Sequence, residues 1–140
     1  MSVFRFFVPL AIRYSDLDPQ GHVNNARYLS YLEEARIAYI RELGLWDGKS
    51  FLDVGIIIAE ARVVYRAAIT LDQSLRAGVR TARLGTKSLT MEYVLEDAGD
   101  GRLLATGSTV LVTYDYHQNQ TIPVPGSWRQ AITAYEGIGE

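Results

Sequence analysis

The stretch Tyr14-Ser-Asp-Leu-Asp-Pro-Gln-Gly-His-Val-Asn-Asn-Ala-Arg-Tyr28 joins a short extended segment to the longest helix that the sequence predicts. It holds two carboxylates two positions apart and one of the two histidines of the chain. Asp18-Pro-Gln-Gly21 is typical of a turn, because proline presets φ and glycine accepts a positive φ. Polar, turn-forming residues between regular elements often carry binding and catalytic side chains. We therefore expect the functional site to lie in this stretch, and the rest of the chain to form the scaffold that holds it.

One long helix follows, over residues 26–43. Its apolar residues recur with a period of 3.6 and form a wide stripe. The stripe comprises Tyr28, Leu32, Ala35, Tyr39 and Leu43. Asn24 or Asn25 would cap the start of this helix, and Gly44 would follow its end. At 1.5 Å per residue the helix would be about 27 Å long, and so wide a stripe predicts that it is largely enclosed.

Most of the remaining chain predicts antiparallel strands. Apolar and polar residues alternate along four segments after the helix, and an aromatic, β-branched segment precedes it. These segments are residues 4–14, 56–69, 75–84, 89–96 and 103–114. Tight turns join consecutive strands, and a short helix over 127–135 with Ser127 as its cap ends the chain. The order predicts one α+β domain over residues 1–140, with a single long helix lying across a curved sheet.

The bulk composition narrows the class of protein. With 140 residues, 48% of them hydrophobic, and a net charge of −2, the chain predicts one folded domain and disfavours nucleic-acid binding or adsorption to an anionic membrane. There is no cysteine, which excludes disulfides and thiolate chemistry. No apolar run approaches the ~18 residues of a membrane span, and His22 and His117 lack metal-ligand spacing. We therefore expect a soluble, cytoplasmic protein without a metal site.

The opening stretch has the minimum equipment for acyl hydrolysis. If the backbone is extended, the carboxylates of Asp16 and Asp18 point to the same side, and their repulsion can raise the pKa of one towards that of a general base. Backbone N–H groups near Asn24 and Asn25, at the positive end of the helix, can stabilise an oxyanion. An Asp before a proline and an Asn before a helix are also ordinary turn and cap residues, and spacing alone favours that structural interpretation.

Other chemistries have weaker support. There is no Gly-x-Ser-x-Gly motif, no phosphate-binding glycine loop and no dinucleotide fingerprint. Glu33 and Glu34, in the middle of the helix, are reserve catalytic carboxylates. One of them is expected to be solvated or to pair with Arg36 or Arg41, and the other could project into a cleft. His22 could contact a substrate, although a turn histidine bonded to the backbone is the simpler role.

A family resemblance adds to this interpretation. Arg13-Tyr-Ser-Asp-Leu-Asp-Pro-Gln-Gly-His-Val-Asn-Asn-Ala-Arg-Tyr-Leu29, followed by Tyr31-Leu-Glu-Glu-Ala-Arg36, resembles the signature of hotdog-fold acyl-CoA thioesterases of the 4-hydroxybenzoyl-CoA thioesterase-like branch. Residues 83–93 and 105–112 resemble the central hairpin and last strand of that family. The resemblance implies a hotdog fold, in which a five-stranded antiparallel sheet wraps a long central helix. It also implies a homodimer joined edge to edge, often a homotetramer, with active sites at the dimer interface.

The resemblance implies hydrolysis of acyl-CoA thioesters to a free acid and CoA. It places the catalytic carboxylate on Asp18 and the oxyanion site on the backbone N–H groups near Asn24 and Asn25. Asp16 matches a position that is often Asp but is not the usual catalyst. No cofactor is implied, since CoA is part of the substrate. The sequence His-Val-Asn-Asn replaces the bulky aromatic pair of the hydroxybenzoyl enzyme, which favours fatty or general acyl-CoA substrates.

The resemblance also suggests substrate contacts. The CoA phosphates would be held by cations near the sheet hairpin or on a neighbouring subunit. The candidate cations are Arg62, Arg83 and Lys87. His22 and Tyr28 are further candidates for substrate binding. The acyl tail would lie between the helix and the sheet of the partner subunit, and the candidate lining residues are Tyr28, Leu32 and Val63.

Two alternatives stay open at this stage. The first is a non-hydrolytic module that binds acyl-CoA or an acyl-carrier protein. The second is a dehydratase of the same fold acting on β-hydroxyacyl thioesters, which is disfavoured because that chemistry usually needs a helix histidine and this helix has none. For hydrolysis itself, the sequence does not decide whether Asp18 attacks the carbonyl carbon or activates water.

Overall fold

The computed structural model describes residues 3–138 of the chain. The predicted domain over 1–140 therefore includes four residues, 1, 2, 139 and 140, that lie outside the described part. The strands are β1 (Phe6–Leu10), β2 (Ile56–Tyr65), β3 (Leu75–Leu84), β4 (Ser88–Asp97), β5 (Leu103–Asp115) and β6 (Gln120–Thr121). The helices are α1 (Arg27–Glu42) and α2 (Gly126–Glu136), and Tyr14–Asp16 and Phe51–Asp53 form single 3₁₀ turns.

All strand pairs are antiparallel, in the spatial order β1-β3-β4-β5-β2. The predicted five strands are confirmed, and the two-residue β6 adds a short pair to β5 within the segment expected to be a loop. Pro9 lies in β1 at one edge of the sheet, where its missing N–H costs no internal ladder bond. The opposite edge is β2, which places a ten-residue strand at the border of the sheet.

The helix α1 lies against the sheet and supplies much of the core. Tyr28, Leu32, Ala35 and Tyr39 are buried as the stripe predicted. The helix ends as expected, because Gly44 adopts φ 73°. Its N–H donates to the carbonyl of Arg41, and the next N–H donates to the carbonyl of Ile40. This pair of bonds satisfies two helix-end carbonyls in the pattern of a Schellman motif.

The predicted strand over 56–69 is too long at its C-terminal end. The N–H groups of Arg66 and Ala67 both donate to the carbonyl of Leu104, at 2.9 and 3.1 Å, so the regular ladder stops at Tyr65. An extra residue at Ala59 also shifts the register, which changes the faces expected for the side chains after it. The chain beyond Tyr65 instead pairs with the opening stretch, because the N–H of Val23 donates to the carbonyl of Ile69.

The helix α2 closes the core at the end of the chain. It begins at Gly126 after Pro125, so Ser127 lies inside the first turn and is not the cap that was predicted. Trp128 and Ile132 are buried. The carboxylate of Glu136 accepts hydrogen bonds from the Tyr39 hydroxyl at 2.5 Å and from the N–H of Thr81 at 3.0 Å. The last turn of α2 is thereby tied to both α1 and β3.

The close approach of α1 to the sheet depends on Gly107 in β5. A Cβ at this position would lie 2.9 Å from Cδ1 of Leu32 and 3.1 Å from the carbonyl oxygen of Arg62. We expect Gly107→Ala to lower the free energy of unfolding by about 1–3 kcal/mol, because the backbone carbonyl cannot easily move aside. Denaturant titration followed by circular dichroism measures this change.

The matched control is Gly126→Ala, where a Cβ would meet no atom within 4 Å. Since alanine is a better helix former than glycine, this control should leave stability within about 0.5 kcal/mol or raise it. Equal stability of the two variants would contradict the proposed packing constraint.

Candidate active site

Asp18 opens the predicted turn. Its carbonyl accepts a hydrogen bond from the N–H of Gly21 at 3.0 Å, and Gly21 has the positive φ expected of it, 79°. The side-chain Oδ1 accepts bonds from the N–H groups of Gln20 at 3.0 Å and His22 at 3.2 Å. Within residues 3–138 no donor reaches Oδ2 of Asp18. The carboxylate is therefore fixed through one oxygen, and the other remains available.

Asp16 occupies a different environment from Asp18. It is 5% exposed, whereas Asp18 is half-buried. Its Oδ2 accepts bonds from the N–H of Arg13 at 2.9 Å and the hydroxyl of Tyr31 at 2.7 Å. The guanidinium of Arg27 lies 3.8 Å from Oδ1. Asp16 is thus a buried anchor between the opening stretch and α1.

The extended backbone on which the carboxylate-pair hypothesis depended is not observed, because residues 14–16 form a 3₁₀ turn. Burial by itself would raise the pKa of Asp16. The hydrogen bonds from Arg13 and Tyr31, together with the neighbouring guanidinium charges, outweigh burial and hold that pKa below its ordinary value. The same contact with Asp16 and the burial of Tyr31 raise the pKa of the Tyr31 hydroxyl.

The N-terminal end of α1 has one available backbone donor. Regular helix begins at Arg27, one residue later than predicted, and its N-cap is Ala26, so the prediction that Asn24 or Asn25 caps the helix is wrong. The side-chain oxygen of Asn24 instead accepts the N–H of Ala26 at 2.9 Å, within the turn before the helix. The N–H of Asn24 itself donates to the carbonyl of Asp16 at 2.8 Å. The N–H groups of Arg27 and Tyr28 also have acceptors. In the described chain, only the N–H of Asn25 is left without an acceptor among residues 24–28.

A pocket of about 450 Å³ joins these groups. It is lined by Asp18, His22, Val23, Asn25, Tyr28, Tyr65, Arg66, Ala67 and Ala68. Four predicted site residues therefore line one pocket: Asp18, His22, Asn25, which precedes the start of α1, and Tyr28. Asn24 lies next to this pocket but does not line it, since its N–H and side chain already serve the turn.

Tyr65 and Arg66 are site residues that the sequence did not reveal. The Tyr65 ring packs edge-on against Tyr28, with centroids 4.7 Å apart. Its hydroxyl donates to the carbonyl of Asn25 at 3.2 Å. Residues 56–69 were expected to form one uninterrupted strand, and only the observed end of β2 shows that these two side chains face the pocket.

Other predicted contacts lie elsewhere in the chain. Arg62 lines a separate groove on the sheet, and Leu32 is core. Lys87 lies in the β3–β4 turn, near the beginning of β2. Its carbonyl accepts the N–H of Thr113, and Thr113 pairs with Ile56, the first residue of β2. The pocket is at the other end of β2, about 30 Å away at ~3.3 Å per residue. Arg83 lies level with Glu60 in the middle of β2, through Thr90 and Val110, and is three strands away from it; neither Lys87 nor Arg83 lines the pocket.

The reserve carboxylates and the second histidine also lie outside the pocket. Glu33 pairs with Arg36 at 3.7 Å, as one of the two glutamates was expected to do, and Glu34 pairs with Arg13 at 3.5 Å. His117 contacts the carboxylate of Asp53 at 2.9 Å. Residues 3–138 contain no group of three or more side chains of the metal-binding types arranged to hold an ion. Absence of a metal requirement stays a prediction.

The helices of residues 3–138 are too short or too polar to cross a membrane.

Comparison with known proteins places the chain in a family. A model described as the thioesterase-like superfamily matches residues 12–132. Protein YsmA of Bacillus subtilis is 33% identical over 110 residues, which cover 78% of this chain and 72% of that protein. The long-chain acyl-CoA thioesterase FadM of Escherichia coli is 24% identical over 123 residues, covering 88% of this chain and 93% of FadM.

Solved structures agree with this assignment. A thioesterase from Thermus thermophilus, crystallised with coenzyme A and zinc, is 36% identical with a TM-score of 0.86, and covers 99% of this chain and 100% of its own. Protein PA5185 from Pseudomonas aeruginosa is 28% identical with a TM-score of 0.82, covering 94% of this chain and 91% of its own. Since the family model spans most of the chain and the architecture is the same, the chain belongs to the thioesterase-like superfamily and has its hotdog fold.

Proposed function

We propose that this chain hydrolyses acyl-CoA thioesters to a free acid and CoA, with Asp18 as the catalytic carboxylate. One observation carries the proposal. Asn25, whose N–H has no acceptor in the described chain, lines the same pocket as Asp18, whose carboxylate is tethered through one oxygen. A base or nucleophile beside a preorganised donor for a carbonyl oxygen is what acyl transfer requires.

Two routes are chemically balanced. In the first, the Asp18 carboxylate takes a proton from water while the water oxygen attacks the thioester carbonyl carbon. In the second, the carboxylate itself attacks that carbon and forms an anhydride, which water then cleaves. In both routes the C–S bond breaks, the thiolate leaves and takes up a proton, and the Asn25 N–H stabilises the charge on the carbonyl oxygen.

The relatives support a CoA thioester as the substrate. FadM acts on long-chain acyl-CoA, and the Thermus thermophilus thioesterase was crystallised with coenzyme A. In this chain Arg66 lines the pocket and is exposed, so it adds a cation for a CoA phosphate to the earlier candidates. Arg62, Arg83 and Lys87 do not line the pocket and remain proposed phosphate partners, in the same chain or from a neighbouring subunit.

A thiol-release assay with acyl-CoAs of increasing chain length tests the function. Hydrolysis of at least one acyl-CoA at a rate that saturates with substrate is expected. If the protein binds acyl-CoA but releases no thiol from any CoA or carrier-protein thioester, the non-hydrolytic binding module replaces the enzyme. If it neither binds nor hydrolyses them, the substrate class is wrong.

The cytoplasmic location is retained as a proposal.

We further propose a homodimer formed through β2, as the minimal unit of a homotetramer. In the described chain β2 borders the sheet, and its exposed residues include Ile57, Ile58, Val64 and Tyr65. A long, apolar, unpaired edge favours pairing with another strand. A two-fold axis makes such self-pairing antiparallel, so the pocket end of one β2 would lie beside the beginning of the other. The acyl tail would then extend between α1 and the partner sheet.

Charges on this edge should separate the subunits. We expect the double variant Ile58→Lys and Val64→Lys to sediment as a monomer at concentrations where the wild type sediments as a dimer, because lysines on an edge strand oppose its pairing with another strand. Val3→Lys, at an exposed residue outside the strand, is the matched control and should remain dimeric. A wild-type protein that sediments as a monomer, or a double variant that stays dimeric, would contradict pairing through β2.

A further inference from the structure

The chain between the Asp18 turn and α1 is not held by a regular helix or strand. Asn24, Asn25 and Ala26 precede the first helical residue, Arg27, and all three are exposed. Exposed backbone outside a helix or strand keeps much of its conformational freedom unless other contacts restrain it. This segment carries the N–H proposed to stabilise the oxyanion, so contacts from outside the helix must fix its direction.

One peptide group of this segment, the group that joins Asn25 to Ala26, is held from both sides. The side-chain Oδ1 of Asn24 accepts the N–H of Ala26 at 2.9 Å. The hydroxyl of Tyr65 donates to the carbonyl of Asn25 at 3.2 Å. The N–H of Tyr28 reaches the same carbonyl only at a longer 3.4 Å. The plane of this peptide group, and with it the ψ angle of Asn25, is therefore set mainly by two side chains.

The tyrosine that makes one of these bonds is fixed in the fold. Tyr65 is the last residue of β2 and pairs with Ala105 of β5. Its ring packs edge-on against Tyr28, with centroids 4.7 Å apart, and Tyr28 is 3% exposed. The hydroxyl therefore connects the sheet to the backbone of Asn25, which the helix itself does not restrain.

An oxyanion donor is effective when its direction is fixed before the reaction. A preorganised N–H needs no reorganisation as charge develops on the carbonyl oxygen, and a small displacement of a catalytic group lowers the rate strongly. Loss of either bond would let the Asn25 peptide group rotate. Asp18 is held separately, by the N–H groups of Gln20 and His22. The two bonds should therefore affect oxyanion stabilisation and leave the catalytic carboxylate in place.

We propose that Tyr65 and the side chain of Asn24 are positioning residues, which together orient the N–H of Asn25 towards the carbonyl oxygen of the substrate. The inference rests on the proposed hydrolysis and extends it, since neither side chain has to touch the thioester. It gives the two asparagines different roles. Asn25 supplies the donor through its backbone, whereas Asn24 acts through its side-chain oxygen.

Tyr65→Phe removes the hydroxyl and keeps the ring on Tyr28. We expect kcat for acyl-CoA hydrolysis to fall about three- to tenfold, the rate equivalent of one hydrogen bond. KM should stay within about twofold of the wild-type value, because the lost interaction acts in the transition state. Tyr135→Phe is the matched control and should keep the wild-type kcat, since its ring packs on Tyr39 and its hydroxyl has no hydrogen-bond partner among the described residues. A Tyr65→Phe protein with the wild-type kcat would overturn the role of Tyr65.

A graded pair of variants tests Asn24. Asn24→Ala removes the acceptor oxygen and should lower kcat by about three- to thirtyfold, the rate equivalent of a lost capping bond. Asn24→Ser restores a shorter acceptor that can make the same local bond more weakly, so part of the rate should return. Wild-type turnover by Asn24→Ala, or no recovery in Asn24→Ser, would overturn the role of Asn24.

Binding of an S-alkyl-CoA of the same chain length as the substrate separates positioning from damage to the pocket. This thioether has no carbonyl oxygen for the N–H of Asn25, so Tyr65→Phe and Asn24→Ala should bind it within about twofold of the wild-type affinity. Loss of thioether binding together with kcat would show that the two side chains shape the pocket, and would overturn the proposal. Thiol release by the wild type is measured first. Its absence rejects the proposed hydrolysis and this role with it, whereas release that the variants leave unchanged rejects the positioning role alone.

Discussion

Asp18→Asn should lower kcat for acyl-CoA hydrolysis by roughly 10²–10⁴-fold, the range for loss of one acid–base group. An amide can neither take a proton from water nor attack a thioester carbonyl. Its side-chain oxygen can still accept the N–H groups of Gln20 and His22, which now bond to Oδ1 of Asp18. The turn should therefore keep its shape, and KM and the unfolding midpoint should change little.

The measurement is thiol release under saturating substrate, with thermal unfolding of the same sample. Asp18→Glu is a useful second variant, because it keeps the carboxylate but moves it by one methylene, and an intermediate rate is expected from misplacement alone. An Asp18→Asn protein that is folded and turns over at the wild-type rate would remove Asp18 from the mechanism. A protein that loses both activity and stability would instead show that Asp18 has a structural role.

Asp16→Asn should lower the stability of the fold, whereas Asp18→Asn should lower kcat and leave stability almost unchanged. We expect it to lower the free energy of unfolding at pH 7 by about 1–3 kcal/mol, the cost of impairing buried bonds to a charged group. The new amide oxygen could still accept from Arg13 and Tyr31, but its NH₂ group would then face the guanidinium of Arg27. Denaturant titration measures this loss, and Tyr31→Phe, which removes one of the same bonds, should show part of it.

The stability difference should depend on pH in a defined direction. The folded-state pKa of Asp16 lies below its ordinary value of 3.8. The stabilisation is therefore fully present above that value and is lost as the pH falls through the lower, folded-state pKa. The gap between wild type and Asp16→Asn should thus be constant near neutrality and narrow on acidification. A gap that widens as the pH falls, or no gap at pH 7, would contradict a buried, ionised Asp16.

Local sequence patterns predicted the elements whose formation is decided locally. The stripe from Tyr28 to Tyr39 places α1 within one residue of its observed ends, and Gly44 ends the helix because its positive φ suits glycine. The strands β3, β4 and β5 were also predicted to within one residue, since each is bounded by a tight turn or, for β5, ends at the loop after Asp115.

Features that depend on distant contacts were not predictable in this way. The end of β2 is set by the shared carbonyl of Leu104. The different environments of Asp16 and Asp18 depend on Tyr31, fifteen positions away. Asn24 and Asn25 were equivalent oxyanion candidates until the structure showed that the carbonyl of Asp16 accepts the N–H of Asn24. The sequence thus indicated which segment forms the pocket, whereas the hydrogen-bond partners of its residues could be assigned only from the structure.

Tyr65 gives the pocket a dependence on its surroundings. The residue ends the border strand, and the same side chain packs on Tyr28 and bonds to the carbonyl of Asn25. A partner that binds β2 at Tyr65 would therefore also act on Asn25, the residue that supplies the free N–H of the pocket. Turnover per chain should accordingly vary with total protein concentration, and activities measured at high dilution would report on a less ordered pocket than those measured in a concentrated solution.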